Sequence, residues 1–130
     1  MGLDNGIIIK NYPNQKINMF SLKSKAFDNE RREIEIAYWR KCWGIRNDIL
    51  SILDARFSDE YEIQILKEHI PNIITLLKWY IKNDENWTYT NSIWERRECL
   101  KSMKIYIKNL KWAYKNFDKY DLKIYFYDSY

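Results

Sequence analysis

The chain has 130 residues, 46% of them apolar and 31% charged, with a formal net charge of +4. That composition fits one globular domain over 1–130 and excludes a disordered or low-complexity chain. No apolar run approaches the roughly 20 residues needed to cross a bilayer, so no membrane partner is expected.

Three Gly and two Pro in the whole chain favour long regular elements, helices above all. The charge is a mild lean toward anionic partners and no nucleic-acid signature by itself. Six Trp and eleven Tyr are many. Most suit an aromatic-rich core, and some are candidates to line a site.

In chain order, Asp4-Asn5-Gly6 is a turn signal before a short strand at Ile7–Lys10. Residues 11–29 are polar and irregular. A long helix is expected over about 28–54, capped by Asp28 or Asn29. Ile34, Tyr38, Cys42, Ile45, Ile49 and Ile52 recur at steps of three and four and form its core stripe. Residues 55–65 are ambiguous, and Tyr61–Ile65 alternates as an extended segment would. A second helix runs to about Asn83 with the stripe Leu66, Ile70, Ile73, Leu77 and Tyr80 and with Pro71 in its first turn.

Residues 83–91 read as a polar loop carrying Trp87 and Tyr89. Ser92 and Glu95 form a capping box for a third helix. Its stripe is Ile93, Arg96, Leu100, Met103, Ile107, Leu110, Tyr114 and Phe117. After Asp118–Asp121 the tail LKIYFYDSY alternates as a strand. The expected fold is mainly α within α+β: a three-helix bundle with a small antiparallel sheet made by the N- and C-terminal strands.

The stretch YWRKCWGIRND, residues 38–48, concentrates aromatic and cationic side chains. On a helical wheel, Trp39, Trp43 and Arg46 fall about 120° from the core stripe, flanked by Arg40 and Asn47. That second face can meet another part of the chain, a second copy, or a ligand with a flat ring and negative charge. Aromatic faces stack on bases and arginine forks grip phosphate, so a phosphorylated nucleotide fits. Arg96 falls on the core seam with Arg97 beside it. There it either pairs with a carboxylate such as Glu33, Glu35 or Asp48 or serves as a phosphate-binding residue. Arg97, Lys101, Lys104, Lys108, Lys111 and Lys115 form a uniformly basic stripe. It is either a solvated face or a footprint for a polyanion.

No catalytic motif is present. His69 is the one histidine. A lone histidine without clustered cysteines makes zinc binding unlikely, and neither metal nor cofactor is expected. There is no phosphate loop, dinucleotide fingerprint or nucleophile elbow. Glu30, Glu33 and Glu35 suit the dipole at the start of the first helix. Cys42 and Cys99 lie on apolar stripes and read as reduced, buried residues of a cytosolic protein. No signal peptide is expected.

The opening MGLDNGI, the central EIAYWRKCWGI and the closing YDSY resemble a family of small bacteriophage and prophage proteins. These begin MGLDMYL, carry a YWRK(A/C)N-type helix in the first third, and end in a strand closing on Ser-Ser-Trp or similar. The resemblance covers most of the chain, most specifically Met1–Asp4 and Tyr38–Lys41. Here Asn5-Gly6 stands for Met-Tyr, Trp43 stands near the usual Asn, and Tyr130 ends the chain. The resemblance carries over no catalytic residue. It implies a phage-encoded protein acting in the cytoplasm of its bacterial host, by binding and blocking.

Two functions are therefore expected as alternatives. One is a homo-oligomeric, non-enzymatic protein that sequesters a nucleotide signal of host immunity. Trp39 and Trp43 would stack on the base; Asn47 would line the pocket; Arg40, Arg46, Arg96 and Arg97 would hold phosphate. The other is an inhibitor of a host defence protein or protein–nucleic-acid complex, docking through Lys101, Lys104, Lys108 and Lys111.

Overall fold

A computed structural model describes residues 4–12, 27–28, 33–55, 61–83 and 93–129. Five strands and four α-helices are defined among them: β1 Asp4–Ile9, β2 Phe27–Asp28, β3 Glu33–Arg40, α1 Trp43–Ile52, β4 Glu62–Ile65, α2 Ile70–Lys82, α3 Ile93–Leu100, α4 Met103–Asn116 and β5 Ile124–Ser129, with a 3-10 turn at Lys67–His69 before α2. The strands form one antiparallel sheet in the order β2-β3-β1-β5-β4. The fold is mixed α+β.

The terminal strands do pair, with Asp4 opposite Ser129 and Ile9 opposite Ile124. The sheet is larger than expected because the first half of the expected helix 28–54 is β3. Its first four residues, EIEI, alternate charged with β-branched side chains, which suits a pleated strand. Ile34 is buried and Tyr38 is not, so the three-and-four stripe breaks inside β3. Lys41, at φ 58°, ends the strand, and α1 begins two residues later.

β3 carries a bulge. Its pairing with β1 steps from Ala37–Ile7 to Glu35–Ile8, which leaves Ile36 as the extra residue. The inward side of β3 therefore slips by one: Ile34 and Ile36 are buried, then Ala37 and Trp39.

One cluster joins the two layers. Ile7, Ile9, Ile34, Ile124 and Phe126 from the sheet meet Ile45 and Ile49 of α1, Ile73 and Leu77 of α2, and Met103, Ile107 and Leu110 of α4. This is a helical layer on one sheet face in place of a free-standing bundle.

The alternation at Tyr61–Ile65 is a strand, β4. α2 starts at Ile70 with proline in its first turn, where the missing N–H costs nothing. Leu66, expected in its stripe, is exposed. The expected third helix is interrupted at Lys101–Ser102 and becomes α3 and α4. The capping serine Ser92, the Trp87–Tyr89 loop and the expected cap Asn29 lie outside the described residues.

Candidate functional site

The helical Trp/Arg face does not exist as expected. Trp39 sits on β3 and points into the core, 2% exposed, with its indole edge-on to Tyr106 at 5.4 Å and 80°. Its Nε1 is buried without a hydrogen-bond partner among the described residues. Strand geometry sends Trp39 inward and Tyr38 and Arg40 outward. Trp39 is thus a core residue and no base-stacking platform.

Arg46 is also taken. Its Nε donates to Asp128 Oδ1 and Oδ2 at 2.9 and 3.0 Å, and a terminal nitrogen donates to Oδ2 at 2.8 Å. Both side chains are largely buried. Asn5 donates to the same carboxylate at 2.6 Å, and Arg46 donates to Asn47 Oδ1 at 2.9 Å. Such a bidentate fork inside the fold is a structural clamp between α1 and β5.

What remains at the surface is Trp43, 44% exposed in the first turn of α1, with the Arg46 guanidinium 5.4 Å from its ring. Arg40 and Lys41 are exposed just before it. Cys42 and Cys99, both buried, are joined as a disulfide. The expectation of reduced cysteines is therefore corrected: the fold brings the β3–α1 junction and the last turn of α3 within bonding reach. Arg96 is half-buried and Arg97 exposed on α3, the helix that carries Cys99, and the link joins that helix to the junction carrying Arg40 and Trp43.

Of the second expected face, the part on α4 remains one row, while the break at Lys101–Ser102 separates Arg97 and Lys101 from it. Lys104, Lys108, Lys111 and Lys115 are exposed along α4, opposite buried Met103, Ile107, Leu110 and Ala113. Lys101 is exposed at the break before it. From Lys104 to Lys115 the stripe spans about 16 Å of helix. The ion pairs among the described residues use Lys10, Arg46, Lys67 and Lys123, and none involves these five lysines. No carboxylate lies between Glu98 and Asp118, so Lys104, Lys108 and Lys111 have no acidic residue three or four positions away.

Two features were not anticipated. On the sheet face away from the helices, Tyr127 donates to Glu35 and Tyr38 donates to Asp4, each at 2.6 Å. Burial, and then the Asp4 charge, push the Glu35 carboxyl above its usual range against the Tyr127 hydrogen bond. Burial and the Asp4 carboxylate push Tyr38 up to about 12. The Tyr127 ring lies over Gly6, where a Cβ would come within 2.7 Å of Cζ and Oη.

The other feature is an open groove of about 490 Å³ between α1 and α2, lined by Asp48, Ser51, Ile52, Leu76 and Trp79. The first feature depends on the bulge at Ile36, which brings Glu35 and Tyr38 to one face where plain alternation would separate them. The groove depends on which helices are neighbours, which no local pattern reports.

His69 has a structural role: its Nδ1 accepts from the Leu66 backbone N–H at 3.0 Å. Among the described residues no three His, Cys, Asp or Glu side chains group as a metal site. Among them, too, no helix is long and apolar enough to cross a membrane. No family model, curated protein or solved structure matches the chain.

Proposed function

We propose that the chain is a non-catalytic binding protein that docks on a nucleic acid through the lysine face of α4. The observation that carries this reading is the row Lys104, Lys108, Lys111 and Lys115, exposed and unpaired among the described residues. A solvated helix face normally mixes both signs of charge, whereas this one holds a single sign over four positions. Phosphates along a duplex present the complementary row. The resemblance to phage proteins supports a setting in which the nucleic acid belongs to a host defence complex and the chain blocks it. A homo-oligomer would present the face twice and gain avidity.

The test is charge reversal. Lys104→Glu with Lys108→Glu, two exposed positions, leaves folding intact and lowers affinity for a short DNA duplex at least tenfold. Binding unchanged by the double reversal would refute the reading.

A smaller nucleotide site is the second reading. It is supported by the disulfide, which ties α3, the helix of Arg96 and Arg97, to the β3–α1 junction that carries Arg40 and exposed Trp43. It needs neither Trp39 nor Arg46. Trp43→Ala would abolish mononucleotide binding in this case and leave duplex binding alone.

A further inference from the structure

We infer that the groove between α1 and α2 receives an arginine side chain of a partner protein. Its two polar and aromatic elements are held by one buried residue. Tyr80, 2% exposed, donates its hydroxyl to Asp48 Oδ2 and holds the carboxylate in place. The same ring meets Trp79 edge-on at 5.2 Å and 88° and so orients the indole, which stays 43% exposed. The Tyr80 hydrogen bond occupies Oδ2 of that carboxylate. Ile52 and Leu76 supply apolar walls beside them.

A groove lined by both a carboxylate and a part-exposed indole selects an organic cation. The apolar walls select one carried on a methylene stem. A guanidinium is planar, weakly hydrated and able to stack and to donate sideways at once, so arginine fits better than lysine in an open groove. The chain already makes one such pair, Arg46 over Trp43. Tryptophan and arginine are both enriched among the residues that anchor interfaces. This inference uses none of the α4 lysines and stands whether or not they bind nucleic acid.

The experiment is an NMR titration following the Trp79 indole N–H, assigned by its loss in Trp79→Phe. The probes are N-acetyl-arginine amide, its neutral isostere N-acetyl-citrulline amide, and guanidinium chloride. The arginine amide is expected to shift the resonance saturably, with a midpoint on the order of millimolar for so small a probe. Citrulline amide should give no saturable shift. Guanidinium, lacking the stem, should bind several-fold more weakly. Asp48→Asn should weaken the arginine amide about tenfold, and if that variant unfolds the arginine–citrulline comparison decides alone. Equal shifts from citrulline, equal binding of guanidinium, or no saturation with arginine would each overturn the inference. Lys104→Glu/Lys108→Glu should leave the titration unchanged, which separates this result from that of the nucleic-acid reading.

Discussion

The side-chain amide of Asn109, fully buried on α4, donates to the backbone carbonyl of Ile36 at 2.8 Å. Ile36 is the extra residue of the β3 bulge. A bulge removes its residue from the ladder and leaves a polar group to be satisfied in the core. Asn109 supplies the donor from the helix above and so fastens α4, and its lysine row, to the sheet. Asn109→Ala leaves the Ile36 carbonyl unpaired in an apolar setting and should cost about 1–3 kcal/mol. Urea unfolding should show a lower midpoint with the slope unchanged.

The two tryptophans of the YWRKCW stretch should behave oppositely. Trp39 fills the core against Tyr106, so Trp39→Ala should cost about 3–5 kcal/mol through the cavity it leaves. Trp43 is largely at the surface, and Trp43→Ala should cost under about 1 kcal/mol. Thermal melting of both variants checks the pair. Similar melting points would contradict the placement of Trp39.

The Cys42–Cys99 disulfide closes a separation of 57 residues. In the chain-entropy account a loop of that length stabilises the fold by about 4 kcal/mol. Cys99 is the one fully buried side chain described on α3, so that helix should loosen first on reduction. Hydrogen exchange with and without a dithiol reductant should show protection lost across 93–100 while β1 and β5 keep theirs.

Glu35 sets a pH dependence. Its carboxyl is raised above the ordinary 4.5 in the folded chain, chiefly by burial. The folded state therefore favours the protonated form. The stabilisation this provides is complete below about pH 4.5 and is lost as pH rises through the raised value. Glu35→Gln keeps an acceptor for Tyr127 and carries no charge. It should be more stable than the parent at neutral pH and should flatten this part of the stability–pH curve. A variant less stable at pH 7 would contradict the assignment.

The lysine row was legible because α4 keeps an uninterrupted step of three and four from Met103 to Leu110. The exposed charged residues on it are all lysines. The C-terminal strand was legible for the matching reason, a clean period of two in LKIYFYDSY; the N-terminal one was marked by its run of isoleucines, though Asp4-Asn5-Gly6, expected as a turn, belongs to the strand. β3 was not legible. The Ile36 bulge shifts its inward side from Ile34 and Ile36 to Ala37 and Trp39. A strand that changes phase loses its alternation, and the spacing of Ile34, Tyr38 and Cys42 then imitates a helix. That misreading put Trp39 and Arg46 on a common face, whereas the strand sends one to the core and the helix turns the other to Asp128. The disulfide was hidden for a different reason, since its two cysteines meet only through the tertiary path of 57 residues.

The most direct test of the lysine face is the salt dependence of duplex binding, measured by fluorescence anisotropy from low to physiological ionic strength. Four phosphate contacts predict that log K falls against log salt with a slope of roughly −3 to −4. Replacing Lys104 and Lys108 together should reduce the slope by about 2. A slope near zero, or one that the double replacement leaves unchanged, would contradict the account.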